Sequence, residues 1–450
     1  MPISDYNLLQ PTDVSYVGSF RVPIGTFGTA LPNLGTLNNG LARMVFNAAN
    51  GSLIVTGSPN DPWSIAEITI PGTLSTSLVQ NDLPLCSFIH EPKVIKNLIP
   101  NYPAGMQPIG ALDTLLNGLV IYGGDLYFSW APYYDTTDAA HTHSRMTGTD
   151  ISTGTLSEIY SSSLPAGFWT GHAVTNGHVS KNVAGYMCEI PSGWQSDLGG
   201  KKVITGSSNM SVISKTSAAP AAFGWDPADL GVTDPMPLAP YQWYPWDLPN
   251  RFWDVKYLTT NDFTSIVQTD TGVMAIPGSR TVLYHVAKGV VGGFCWYGNE
   301  TLGIENPYAS DPIYSSLHGT IQADDKRPVA GNGYHCTNLG GTSGVGMYAR
   351  ELQFWDALEF KRVYAGSQER WAASPYARLT LSTPIADAKK YTGGMAYDAT
   401  THRLYLAGHQ DYFNSGGGSY YPLVHVYDLA NPGLPSVPPT NPGWPSMVGF

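Results

Sequence analysis

Charge is scarce in this chain. Lysine, arginine, aspartate and glutamate make up 13% of its 450 residues, against about 25% in an average soluble domain. The formal balance is −11 at pH 7, and no run of lysine and arginine exceeds two residues. A nucleic-acid partner needs a basic footprint, so none is expected. An anionic membrane surface is disfavoured for the same reason. No stretch approaches the roughly 18 consecutive apolar residues of a membrane-spanning helix, so no membrane insertion is expected. The opening MPISDYNLLQPTDVSYVGSF has no basic region followed by an apolar one, and it does not read as a signal peptide.

Cysteine is nearly absent. Cys86, Cys188, Cys295 and Cys336 form no Cys-x-x-Cys pair, which argues against a zinc site. They read as free thiols packed like small hydrophobes, or as one long-range disulfide that the sequence cannot pair. Familiar catalytic signatures are missing too: there is no HExxH, GxxxxGK[ST], GxSxG or EF-hand loop. No cofactor is expected. Long amphipathic helices are also lacking, since segments such as ALDTLLNGL (111–119) are short and interrupted by glycine.

Turn formers and aromatics are abundant. The chain holds 49 glycines and 35 prolines, and 12% of it is aromatic. Such a composition suits short strands joined by many tight turns. It also suits a protein on an extracellular or particle surface. With no export signal in view, either a removed signal or a virion released by lysis would reconcile the two observations.

Strand-like runs of four to eight residues recur, rich in β-branched and aromatic residues. RMVFNAANGSLIVTG (43–57) and GGMAYDATTHRLYLAG (393–408) are near-copies at opposite ends of the chain. Aligned on their last glycines, Met395 falls on Met44, Tyr397 on Phe46, Asp398 on Asn47, Leu404 on Leu53 and Leu406 on Val55. Both parse as strand, turn, strand, with Asn-Gly at one turn and an Asp that caps its own backbone at the other. Leu404 and Leu406 share one face of the returning strand, Arg403 and Tyr405 the other. Third strands follow at SIAEITIP and PLVHVYDL. Looser versions occupy 115–130, 271–289 and 346–366, the last read as two strands around a charged turn, and 184–191 adds another strand.

Six such hits over this length predict an all-β fold, a single β-propeller of about five to seven blades. A jelly roll or stacked sandwich is the runner-up. The whole of 1–450 reads as one domain, with an N-terminal arm at 1–13 and a Pro-rich tail at 434–450. Ring closure would pair the lone strand VSYVGSFRVP (14–23) with the final meander, bringing Gly18 and Val426 into one sheet.

The phrases YVGSFRVP, LNGLVIYGG, GYMCEIPSGWQSDLGG, FGWDPADLG and GGMAYDATTHRLYLAG together resemble a loose group of uncharacterised bacterial and phage proteins of β-propeller type. The resemblance spans about 15–429. It implies the fold and transfers no catalytic residue.

Candidate site residues come from local chemistry. PYQWYPWDLPNRFWDVKY (240–257) offers Tyr241, Trp243, Tyr244, Trp246 and Trp253 as planes for stacking on a sugar, with Arg251 among them and proline to hold them rigid. Packing between blades is the competing use. FSWAPYYD (128–135) offers Trp130 and Tyr133. No metal is expected, but His141 and His143 in HTHSR would share a side on a strand, with Asp135 and Asp138 nearby. His172, His318, His335 and His409 sit beside glycine-rich turns. Glu189, Glu300, Asp125 and Asp411 are the acids in aromatic surroundings.

These observations favour a non-enzymatic binding or structural propeller, associated with a phage virion. It would contact other virion proteins, further copies of itself or a surface glycan. A glycan-active hydrolase or lyase and an oligomeric scaffold are the alternatives.

Overall fold

The computed structural model describes residues 2–27, 37, 40–58, 64–95, 98–100, 114–132, 141–165, 183–207, 217, 220–244, 269–289, 293–297, 334–338, 348–381, 392–414 and 419–430. The first strand is β1 (Val14–Arg21). Blade 1 then runs β2 (Met44–Asn47), β3 (Ser52–Thr56), β4 (Ser64–Thr69) and β5 (Phe88–Val94). Blade 2 is β6 (Thr114–Tyr122), β7 (Asp125–Pro132), β8 (His141–Met146) and β9 (Tyr160–Ser163). Blade 3 is β10 (Met187–Glu189), β11 (Val203–Thr205) and β12 (Ala222–Trp225). The short β13 (Met236–Pro237) crosses to lie parallel to β9, and β14 (Ala239–Gln242) completes blade 3. Blade 4 is β15 (Thr269–Ala275) and β16 (Thr281–Gly289), then β19 (Tyr348–Asp356) and β20 (Ala377–Thr380). Between its second and third strands lies a separate ribbon, β17 (Gly293–Tyr297) with β18 (Tyr334–Asn338). Blade 5 is β21 (Thr392–Asp398), β22 (Arg403–Asn414) and β23 (Ser419–Leu429).

The innermost strands β2, β6, β10, β15 and β21 each touch the next, and the last touches the first. This makes the fold a closed five-bladed β-propeller. The N-terminal strand supplies the outer strand of blade 5: β1 pairs with β23, with Val14 opposite Leu429 and Gly18 opposite Val426, as the sequence predicts. Closure leaves each blade flanked on both sides.

Among the described residues, five apolar clusters fill the five gaps. Ile54 and Ile65 of blade 1 meet Leu119, Phe128 and Trp130 of blade 2. Val120 and Tyr127 of blade 2 meet Phe223 and Trp225 of blade 3. Ile204 and Tyr241 of blade 3 meet Val282, Tyr284 and Trp355 of blade 4. Leu283 and Phe354 of blade 4 meet Leu404 and Leu406 of blade 5. Tyr405 and Val426 of blade 5 meet Leu53 and Val55 of blade 1. Neighbouring residues of one strand thus feed opposite gaps, because strand side chains alternate. Leu404 and Leu406 face blade 4 while Tyr405 faces blade 1, stacked on Phe46 with ring centroids 6.1 Å apart. Burial on both faces is why β3 (SLIVT) is buried at every position.

The two near-copies are the inner hairpins of blades 1 and 5. Their registers match: Met44 opposite Val55 and Phe46 opposite Leu53 in one, Met395 opposite Leu406 and Tyr397 opposite Leu404 in the other. Asp398 accepts from the Thr400 amide at 2.8 Å and the Thr401 hydroxyl at 2.6 Å. Asn47 accepts from the Ala49 amide at 3.2 Å in the same way.

Two expectations need correction. The hits at 271–289 and 346–366 belong to one blade, since β16 pairs with β19 from Thr281↔Asp356 to Gly289↔Tyr348. The second half of the latter is also a helix, Ala357–Tyr364. Asp356 caps it by accepting from the Leu358 amide at 3.0 Å, an N-cap that stops the strand.

The inner strands all run the same way. Gly394 donates its amide to Leu41 O at 2.7 Å, Arg43 of blade 1 bonds Asn117 of blade 2, and Gly118 packs against Gly185. Leu41, Arg43, Gly185 and Gly394 lie just before or within three residues of the start of an inner strand, and Asn117 and Gly118 at the middle of β6, so the starts gather towards one end of the ring. The first hairpin turns, 48–51, 123–124, 276–280 and 399–402, lie at the other end.

Candidate functional site

The clearest constellation of reactive side chains lies between blades 4 and 5, towards the start end. A bulge in β22 between Gly408 and Tyr412 turns Asp411 into the gap. Gly408 makes this possible, since a Cβ there would lie 1.6 Å from Asp411 Oδ2. Arg350 of β19 grips the carboxylate with two hydrogen bonds, Nη1 to Oδ2 at 2.8 Å and Nη2 to Oδ1 at 2.9 Å. On its other side, His425 Nε2 lies 2.7 Å from Oδ2. His425 Nδ1 lies 2.6 Å from Ser19 Oγ, and Ser19 Oγ lies 2.7 Å from the Tyr16 hydroxyl. The chain of bonds crosses four strands, from blade 4 to the outermost strand of blade 5.

Burial alone would raise the Asp411 pKa. The Arg350 charge and the bonds from His425 and Arg350 outweigh it, holding the carboxyl well below the ordinary range. His285 enters the same gap from β16 and lies 3.1 Å from Gly393 O through Nδ1. Burial, with the Arg350 charge added, pushes its pKa well down and keeps it neutral. Burial also raises the Tyr16 phenol.

Serine, histidine and aspartate in series invite comparison with a nucleophile, its base and the group that orients it. The surroundings do not fit that chemistry. Ser19 is 1% exposed, its hydroxyl is held between Tyr16 and His425, and its amide is tied to Ser75 O at 2.8 Å. A substrate carbonyl has no path to the oxygen. The arrangement ties two blades together through a buried, hydrogen-bonded polar layer.

A second polar layer joins blades 2 and 3. His143 Nε2 lies 3.0 Å from Thr205 Oγ1, which also accepts from Trp225 Nε1 at 2.8 Å. His143 Nδ1 lies 2.8 Å from Thr142 Oγ1. Burial pushes the His143 pKa down to about 3. Both ring nitrogens of His143 are thus held by threonine hydroxyls, and β8 shifts register against β9 between His141 and His143. Asp135 and Asp138 lie outside the described residues. Among the described residues, no three His, Cys, Asp or Glu side chains gather as a metal site.

The aromatic candidates divide. Tyr241, Trp243, Tyr244 and Trp130 are fully buried, and their rings serve packing rather than a sugar. Tyr241 stacks on Phe360 of the helix at 5.9 Å and donates its hydroxyl to Leu198 O at 2.7 Å. Trp243 meets Phe223 edge to face, and Tyr244 meets Trp355 likewise. Trp130 donates to Ser144 Oγ at 2.7 Å. Trp246, Arg251, Trp253 and Tyr133 lie outside the described residues, as do His172, His318 and Glu300, and so does the His409 side chain. The remaining acids are scattered: Asp125 anchors the Gly148 amide at 2.8 Å in blade 2, and Glu189 ends β10 in blade 3 with its pKa raised by burial.

Arg350, His425, Ser19, Tyr16 and His285 escaped the sequence reading. The available signal was an ionisable residue inside an otherwise apolar strand, as in PLVHVYDL and YARELQF, which calls for a buried partner.

No family model and no curated protein matches the chain. Among solved structures it is similar to one titled "Structure of Dos1 propeller", with 9% identity and a TM-score of 0.25, over 95% of this chain and 96% of that one. A match that loose carries no argument, and the fold rests on the strand order and the ring of inner strands.

Proposed function

We propose that this propeller is a non-enzymatic binding or structural protein on the outside of a particle, a phage virion, and that it recognises a surface glycan or a neighbouring virion protein through the start end of the ring. One observation carries the reading: the two ends are unequal. At the turn end, four of the five blades join their first two strands through two to five residues. At the start end, the second and third strands are joined through 7, 8, 16, 58 and 4 residues in blades 1 to 5. Connecting segments carry recognition when a rigid scaffold holds their roots. Trp246, Arg251 and Trp253 fall on the connection from blade 3 to blade 4, and Tyr133 on the eight-residue connection of blade 2. All four belong to segments rooted at that end.

The low charge content and the high glycine and proline content support an exterior setting. The enclosed Ser19–His425–Asp411 series supports binding over catalysis. Mass spectrometry of purified particles should find the chain, and a glycan array should show retention by the intact protein. Trp246→Ala and Trp253→Ala should each weaken that retention tenfold or more, as expected of a stacking aromatic. Absence from particles together with no retained glycan would overturn the reading, and so would cleavage of an arrayed glycan.

A further inference from the structure

We infer that Cys295 and Cys336 form a disulfide that clasps the ribbon in the blade 4 insertion. The inference comes from register. β17 and β18 are antiparallel, and Cys295 stands directly opposite Cys336 at the centre of the five paired positions. Directly opposed residues in an antiparallel pair have Cα atoms about 4.5–5.5 Å apart. A disulfide needs about 4.4–6.8 Å. The ribbon is also well placed to act as a clasp. β17 begins four residues after β16 ends, and β18 ends ten residues before β19 begins. The bond would therefore close the insertion just beyond the point where the β16–β19 ladder stops at Gly289↔Tyr348.

The other two cysteines are not available as partners. Cys86 is buried between blades 5 and 1, and Cys188 between blades 3 and 4. Both are free thiols. Burial pushes each thiol up to about 12, so neither supplies appreciable thiolate near neutral pH.

Formation takes two electrons and two protons from the two thiols. A small-molecule disulfide such as oxidised glutathione accepts them by exchange. One thiolate attacks it and releases one glutathione thiol, and the second thiolate displaces the other. The products are one protein disulfide and two reduced glutathiones.

Trypsin makes the pairing readable, because Lys326 lies between the two cysteines while Lys288 and Arg350 flank them. The full-length protein is incubated with oxidised glutathione, alkylated under denaturing conditions without reductant, and digested. Peptides 289–326 and 327–350 should travel as one species and separate on reduction, with alkyl groups on Cys86 and Cys188. In Cys336→Ser, incubated without glutathione, Cys295 should take up an alkyl group. Alkylation of both Cys295 and Cys336 in the oxidised wild-type protein would overturn the pairing. So would a link from either residue to Cys86 or Cys188, or a Cys295 that stays blocked in the variant.

Discussion

His143 is closed in between blades 2 and 3 with both ring nitrogens engaged, and its pKa is pushed down to about 3 by burial. The folded state therefore disfavours the proton that the unfolded chain takes up below about pH 6.5. Its contribution to stability is complete above that pH and is lost as pH falls towards 3, at about 1.4 kcal/mol per unit. His285 adds a loss in the same direction. Asp411, whose pKa is depressed, adds another below the ordinary carboxyl range. Urea midpoints measured between pH 7 and 4 should fall steadily, and His143→Gln should flatten the slope by about one proton. An unchanged slope in that variant would contradict the burial of a neutral His143. Arg350 acts differently. Arg350→Met leaves the Asp411 carboxylate buried without its bidentate partner and should cost about 3–5 kcal/mol in urea denaturation. A cost under about 1 kcal/mol would mean that the pair is solvated.

The hairpins were legible in the sequence because their signals are local. Asp398 and Asn47 close their turns with atoms two or three residues away. The helix Ala357–Tyr364 carried equally local signals, with Asp356 as cap, Glu359 in its first turn and Lys361 and Arg362 in its last. Its short length and the aromatic flanks masked them. Packing between elements was not legible. Tyr241, Trp243 and Tyr244 have the composition of a sugar platform, and only the neighbouring helix and blades decide that they are core. The Arg350–Asp411–His425–Ser19 layer joins residues up to 406 positions apart and depends on a bulge that no local pattern announces. Glycine shows the same division. A Cβ on Gly185 would lie 1.9 Å from Ser207 O, whereas one on Gly123, at φ +60, meets nothing within 4 Å. Gly185→Ala should cost about 1–3 kcal/mol or more through overpacking against backbone, while Gly123→Ala should cost about 1 kcal/mol through the left-handed backbone alone. Equal losses in thermal denaturation would count against the close approach at Gly185.

At the scale of the molecule, closure was readable because it is written in the two ends of the chain, and Gly18 does pair with Val426. Blade number was not. A 58-residue insertion divides blade 4 in sequence, so its two halves read as separate repeats. Removing residues 1–22 takes away β1 and exposes the edge of β23. That truncation should lower the thermal midpoint and promote association, both visible in a melting curve and in size-exclusion chromatography.

The claim that the start end recognises and the ring supports is tested most directly by one replacement. Gly289 and Tyr348 are the last paired residues of β16 and β19, so an Asn-Gly turn in place of 290–347 should close the hairpin without disturbing the blade. Binding of this variant and of the intact protein is then compared on an array of bacterial surface glycans. The account predicts that the intact protein binds, and that the variant melts as a single cooperative unit yet loses most of the signal. A folded variant that binds as well as the intact protein would contradict it.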